Sequence, residues 1–333
     1  MTTRPTASRP YRLDVHPLGS GEQGVADDAR IGLAATPKSL PPKHFYDERG
    51  SDLFERITRL PEYYQSRAEL SVLNRIATGL VARHGVSELV ELGSGASRKT
   101  QALLDAMRDA RSLHRYVPFD VCPEAILAAA GRLAEAYPGL DVHGVAGDFD
   151  RHLPGVPVRA RAARRLVAFL GGTIGNLAPT KRADFLAQVA ASLGPHDALL
   201  LGTDLVKDIA RLEAAYDDAA GVTAEFNRNV LSVVDRELDA NFVPDAFEHV
   251  ARFDPTHEWI EMRLRATDAM EVRIAALDLD VSFAAGEEMR TEISAKFRRD
   301  RVERELAAAG LTLAEWWTDP AGDFALSLAR PAS

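Results

Sequence analysis

The sequence predicts an α/β protein: a parallel sheet with helices on both faces, closed by a terminal antiparallel hairpin, with a second α+β unit set into the chain. Three observations lead there. Between residues 88 and 201 short apolar runs alternate with segments of helical period, the rhythm of βαβ units. After residue 206 that rhythm stops, and long helical segments give way to alternating ones. The chain then ends in two alternating runs, 311–318 and 324–329, around the turn Asp319-Pro320-Ala321-Gly322, the pattern of a hairpin.

Composition bounds the function. The 333 residues suffice for two domains, or for one large domain with an insertion. At 46% hydrophobic and 27% charged the chain reads as an ordinary globular protein. A formal net charge of -9 argues against bulk attraction to nucleic acid or to an anionic membrane. The single cysteine, Cys122, excludes an intrachain disulfide and a multi-cysteine metal site, and it is expected as a buried, inert thiol. The histidines are scattered without metal-ligand spacing, so no metal is expected. No apolar run approaches the ~20 residues that span a bilayer, and the N-terminus lacks a hydrophobic signal core. The expectation is a cytoplasmic monomer without nucleic-acid or membrane partners.

Taken in order, residues 1–12 are polar and proline-bearing, and they are expected to be disordered. Residues 13–40 alternate loosely, with a glycine-rich loop at 19–24. Ser51 is the expected cap of a short amphipathic helix. Pro61–Arg67 reads as an aromatic-rich loop, and the tyrosines at 46, 63 and 64 are either loop anchors or a pocket wall. A helix is expected over 68–83, then strand 88–92, helix 99–107, strand 114–119 and helix 123–137. Strands at 140–145, 165–170 and 197–201 follow, with a helix over 181–193. Beyond them lie helices 207–220 and 223–240, and three strands at 249–253, 258–267 and 269–281 forming an antiparallel meander. A mixed stretch 285–297 and a charged helix 298–309 precede the hairpin.

The stretch Leu89-Val90-Glu91-Leu92-Gly93-Ser94-Gly95-Ala96 is a strand running into a tight turn that opens a helix, a place where backbone can approach a ligand. A phosphate-binding loop would need glycine where Arg98 stands, and a dinucleotide fingerprint would need glycine or alanine at the same position. S-adenosyl-L-methionine, which has no phosphate, needs only the short turn. An ordinary strand–helix turn would carry the same two glycines, so residues further along must decide. Asp120 ends the next strand, where a carboxylate can accept from ribose hydroxyls, and Asp148-Phe149 ends the one after, where an acid and a ring can hold adenine. Glu91, Asp120 and Asp148 would put three carboxylates around one crevice, which repels a pyrophosphate and suits a sulfonium with an ammonium. That charge pattern, with the terminal hairpin, favours S-adenosyl-L-methionine over a nicotinamide cofactor.

The arrangement resembles the Rossmann-like class I methyltransferase fold. More specifically, Thr36-Pro37-Lys38-Ser39-Leu40-Pro41-Pro42-Lys43-His44-Phe45-Tyr46-Asp47, Leu60-Pro61-Glu62-Tyr63-Tyr64, Gly172-Thr173-Ile174-Gly175-Asn176 and Met289-Arg290-Thr291-Glu292-Ile293-Ser294 resemble the histidine-specific Nα-methyltransferases of ergothioneine biosynthesis, over roughly residues 30–330. The resemblance implies conversion of L-histidine to its trimethylated betaine, hercynine, with S-adenosyl-L-methionine as methyl donor and S-adenosylhomocysteine as product. It implies that Tyr63, Gly93, Lys99, Asp120, Asp148 and Phe149 line the donor pocket. It implies that Asn176 and Tyr216 hold the histidine carboxylate, and that Tyr46, Asn176 and the Gly171 carbonyl orient the amine. Glu292 and Ser294 would bind the imidazole, with Tyr63 nearby and Met262 on the wall. Without the resemblance, Tyr216 reads as a helix-face aromatic, Met262 as core, and Glu292 and Ser294 as a solvated strand end. The implied organisation is a substrate-binding lid domain from residues 13–67 and 207–296, and a donor-binding domain from 68–206 and 297–333. The alternatives are a methyltransferase for another amino acid, or a donor-binding module without turnover.

Overall fold

The computed structural model describes residues 11–16, 24–95, 97, 99–148, 152–153, 156–158 and 163–332. Its strands are β1 (Tyr11–Val15), β2 (Glu88–Leu92), β3 (Arg115–Asp120), β4 (Asp141–Ala146), β5 (Arg165–Phe169), β6 (Ala198–Asp204), β7 (Phe247–Asp254), β8 (Trp259–Ala266), β9 (Met270–Ile274), β10 (Leu279–Phe283), β11 (Glu288–Ala295), β12 (Leu311–Thr318) and β13 (Phe324–Pro331). The helices used below are α1 (Val25–Ala34), α2 (Glu48–Ile57), α3 (Gln65–His84), α4 (Gln101–Asp109), α5 (Pro123–Ala136), α6 (Pro179–Ser192), α7 (Ile209–Ala214), α8 (Val222–Leu238) and α9 (Arg299–Ala308).

One eight-stranded sheet runs β1-β4-β3-β2-β5-β6-β13-β12. Its first six strands pair in parallel, and β13 and β12 pair antiparallel at the end. This is the class I methyltransferase arrangement. The central strands β2 and β5 are buried along their whole length, as strands covered on both faces must be. One apolar cluster packs α3, α4 and α5 on one face, and a second packs α6 and α9 on the other. The parallel strands therefore all deliver their carboxyl ends to one edge, where the strand order reverses between β2 and β5.

A third cluster is built from residues 29–64 and 212–289. It lies around α8, α1, α2 and a three-stranded sheet of order β11-β8-β7. The segment before α2 closes the outer edge of β11: Leu40 N–H donates to the Arg290 carbonyl at 2.9 Å, and Arg290 N–H to Lys38 at 3.0 Å.

Several expectations are corrected. Tyr11 and Arg12, expected as disordered, open β1, which pairs with β4; residues 1–10 lie outside the described residues. The 13–15 end of β1 therefore belongs to the large sheet, because its backbone finds partners there. Residues 25–34, within the stretch expected to alternate loosely, form the helix α1 after Gly24; most of the expected glycine loop lies outside the described residues. The cap of α2 is Asp47, whose carboxylate accepts from Gly50 N–H at 2.8 Å, and not Ser51. The expected third strand at 269–281 is two, β9 and β10, reversed by a 3-10 turn ending at Asp278 with φ of 50°. Aspartate tolerates that left-handed backbone better than most residues. The stretch expected as mixed is β11. Cys122 is half-buried, not core.

Candidate active site

The turn after β2 is shaped by its glycines. Gly93 and Gly95 take φ of 68° and 46°, a left-handed backbone that side chains resist. Gly93 N–H donates to the Phe119 carbonyl at 2.8 Å, which ties the turn to the end of β3. There Asp120 accepts from Gly95 N–H at 2.7 Å and from Cys122 N–H at 3.1 Å. Burial raises the Asp120 carboxyl, and those backbone donors oppose the rise. The result is a fixed acceptor beside an open glycine turn, which suits a ribose. Among the described residues, no atom lies within 4 Å of a Cβ built at Gly93 or Gly95, so the turn leaves space for a ligand. These residues fit a nucleoside without a phosphate.

The carboxylate trio does not assemble. Glu91 turns beneath the glycine loop, where Thr100 and Tyr116 donate to its two oxygens and only 4% of it is exposed. It organises the loop rather than facing the crevice, and burial raises its carboxyl to about 7. Asp120 and Asp148 remain at the strand ends. Asp148 has the Lys43 ammonium at 3.6 Å, brought over from the segment before α2. Phe149 lies outside the described residues. Lys99 meets the buried Glu69 of α3 at 2.5 Å, and Glu69 also accepts from Gly171 N–H at 2.7 Å.

The second half of the site is a cavity of about 60 Å³. All eight residues expected at the acceptor line it: Tyr46, Tyr63, Gly171, Asn176, Tyr216, Met262, Glu292 and Ser294. They come from separate elements. Tyr46 precedes α2, Tyr63 precedes α3, Asn176 ends a 3-10 turn after β5, and Tyr216 follows α7. Glu292 and Ser294 alternate along β11, with Met262 directly opposite Glu292 on β8. Tyr46 packs edge-on against Phe54 and Phe226, each at 5.6 Å between ring centroids, giving the cavity an aromatic wall.

The electrostatics of this cavity are specific. Glu292 is 8% exposed, and no hydrogen bond from the described residues reaches its carboxylate. Burial raises it to about 7, with Lys296 opposing. Burial also pushes the Tyr46 hydroxyl well above its usual range, and Glu292, Asp120 and Tyr216 push the same way. Tyr46 thus feels charge from both the cavity and the strand-end crevice, and it stays protonated.

A buried ion network that sequence reading missed reaches the cavity lining at Asp204. The Lys296 ammonium donates to the Tyr216 hydroxyl at 2.8 Å and the Ser294 hydroxyl at 3.0 Å, and pairs with Asp204 at 2.9 Å. Asp204 also pairs with Lys207 at 2.5 Å and accepts from the Tyr64 hydroxyl at 2.9 Å. Burial raises the Asp204 carboxyl, but the two lysines outweigh it and hold it low. Phe54, Gln65, Thr173 and Phe226 also line the cavity without having been expected there. Among the described residues no cluster of metal ligands is found, and no helix is long and apolar enough to cross a membrane.

Comparison with known proteins bears on this site. A family model described as "Histidine-specific methyltransferase, SAM-dependent" matches residues 25–331. The chain is 58% identical over 310 residues to a histidine N-alpha-methyltransferase of Mycolicibacterium smegmatis, covering 93% of this chain and 96% of that one. It is 55% identical over 310 residues to the histidine N-alpha-methyltransferase of Mycobacterium tuberculosis, with the same coverage. It is also 30% identical over 301 residues to ergothioneine biosynthesis protein 1 of Neurospora crassa, covering 85% of this chain and 32% of that one.

Proposed function

The chain belongs to the family of SAM-dependent, histidine-specific methyltransferases, and from that premise we propose that it trimethylates the α-amine of L-histidine, giving hercynine, the first step of ergothioneine biosynthesis. The observation that carries the choice of acceptor is Glu292: a buried carboxylate with no partner among the described residues, on the same strand face as Ser294. An imidazole N–H is the feature it fits, and an apolar amino acid would leave it unpaired. A site built around such a bond rejects analogues lacking it by large factors, ~10⁴ or more.

S-adenosyl-L-methionine supplies a methyl group already activated on a sulfonium, so the chain's task is alignment. On this reading Gly93, Lys99, Asp120, Asp148 and Phe149 hold the donor, with Tyr63 between donor and acceptor. Asn176 and Tyr216 hold the acceptor carboxylate. The Tyr46 hydroxyl, the Asn176 amide oxygen and the Gly171 carbonyl accept N–H bonds and aim the amine lone pair along the line of transfer. Tyr46 acts as a protonated hydrogen-bonding group, in keeping with its raised pKa. The aromatic faces of Tyr46 and Tyr63 tolerate a methylated ammonium. Transfer ends at the third methyl, because a quaternary nitrogen has no lone pair. Segments 13–67 and 207–296, apart from β1, act as the acceptor-binding lid over the donor sheet. Their separate apolar core supports that reading.

The test is mass spectrometry of L-histidine incubated with the protein and S-adenosyl-L-methionine, beside tryptophan, tyrosine and phenylalanine. A trimethylated product from histidine alone is expected. Methylation of another amino acid in its place would overturn the acceptor assignment, and donor binding without any methylated product would overturn turnover itself.

A further inference from the structure

Gln65 is the first residue of α3 and is 3% exposed. Both polar atoms of its carboxamide, Oε1 and Nε2, are buried without a hydrogen-bond partner among the described residues. It lines the acceptor cavity with Gly171, Thr173 and Asn176. Buried amides are normally satisfied, and an orphaned one calls for an explanation. The nearest acid on the same helix face, Glu69, is one turn along and is already engaged by Lys99 and by Gly171 N–H.

The position of Gln65 is held firmly. Arg67 donates to the carbonyls of Leu60, Tyr63 and Pro61 at 2.8, 3.0 and 2.7 Å, which pins the turn that leads into α3. Tyr64, at the cap of that helix, supplies no side-chain capping bond, and the first turn contains no acid. The helix start therefore favours a negative group nearby. An orphaned amide beside it offers an N–H donor to an anion and a carbonyl acceptor to an amine. That pair of functions matches one chemical unit, the α-ammonium and α-carboxylate of an amino acid.

We propose that the Gln65 carboxamide is a ligand for the α-amino-acid head group of the acceptor, donating from Nε2 to its carboxylate and accepting at Oε1 from its amine. The donor's methionyl end carries the same chemistry. The acceptor is favoured because Gln65 shares its cavity with Asn176, Tyr216 and Glu292, whereas Gly93, Lys99 and Asp120 lie outside it. The inference rests on the reading of this cavity as an amino-acid site.

The test compares the wild-type protein with Gln65→Met, which keeps the volume and removes both polar atoms. Calorimetric titration with S-adenosylhomocysteine, then with L-histidine on the S-adenosylhomocysteine complex, separates the two sources. The expected result is a 10- to 100-fold loss of histidine affinity, the size of hydrogen bonds to charged groups, with S-adenosylhomocysteine affinity changed less than about 2-fold. The melting temperature of the ligand-free protein should be unchanged or higher, because an unsatisfied buried amide has been removed. A clear fall in that temperature with histidine affinity intact would make Gln65 structural and overturn the proposal. Weakened S-adenosylhomocysteine binding instead would move it to the donor. If wild-type protein binds a different amino acid in place of histidine, the side-chain reading fails and the same ratio for that amino acid decides Gln65. If it binds none, both fail.

Discussion

The hydroxyls of Tyr216 and Ser294 lie 2.7 Å apart, and Lys296 donates to both. An ammonium has three donors and no acceptor, and Lys296 uses them on Tyr216, Ser294 and Asp204. One hydroxyl hydrogen then bridges Tyr216 and Ser294, and a single one remains for a ligand. The pair presents one donor to the cavity, and its polarity is imposed by a buried cation that is not itself part of the cavity lining.

Lys296→Met removes that constraint and leaves Asp204 with only part of its compensation. Losing one member of a buried ion network costs several kcal/mol. Because Lys207 stays beside Asp204, about 2–3 kcal/mol of destabilisation is expected in urea denaturation. The KM for histidine should rise, and S-adenosylhomocysteine affinity should hold. A stable variant with unchanged histidine kinetics would show that the network is only structural.

Glu292→Ala should weaken histidine binding by about 10- to 100-fold, the range for a hydrogen bond to a charged partner. Because the carboxylate is the group that apolar acceptors leave unpaired, discrimination against phenylalanine should shrink in the same variant. Competition assays with both amino acids read this directly.

Asp120→Ala removes the acceptor for the Gly95 and Cys122 N–H groups and for a ribose together. S-adenosylhomocysteine affinity should fall by ~10-fold or more, with charge-assisted bonds at stake. Titration calorimetry on folded variant protein checks it, and undiminished affinity would place the ribose elsewhere.

Glu91 gives a pH signature. Its folded-state carboxyl is raised by burial to about 7, above its ordinary value of 4.5. The folded state therefore holds a proton that the unfolded state releases, and stability from this group falls as pH rises from 4.5 through 7. Removing the charge with Glu91→Gln should change little at pH 4 and become progressively favourable towards pH 8. The upper bound is about 3 kcal/mol by linkage. Thermal melts of both proteins across that range measure the difference, and parallel curves would contradict it.

How much was legible in the sequence depended on how local the signal was. The strands β2, β5 and β6 announce themselves because strands buried on both faces are near-continuous apolar runs. The residues expected at the acceptor were implied by the family resemblance, and the fold gathers them in one cavity although Tyr46 and Glu292 are 246 positions apart in number. What sequence could not give was direction. The strand pattern at Glu91 says it is a strand residue, but only Thr100 and Tyr116 decide that it turns away from the crevice. Lys296 stands two residues beyond the Met289–Ser294 motif, and its role depends on Asp204, a distant partner. Gln65 fell in a stretch read as a loop, and its orphaned amide is visible only once everything around it is placed.

Gly175, beside Asn176, packs onto β11 so closely that a Cβ there would sit 2.8 Å from the Ala295 carbonyl oxygen. That bare backbone contact is the joint between the strand bearing Glu292 and Ser294 and the loop that follows β5 of the donor sheet. The joint involves no side chain of β8 or β11, so a substitution such as Glu292→Ala alters the cavity lining without touching it. A single methyl group added at Gly175 would instead shift the whole acceptor wall against the donor sheet, altering every acceptor at once and selecting for none. The residue that fixes this joint is thus one with no side chain.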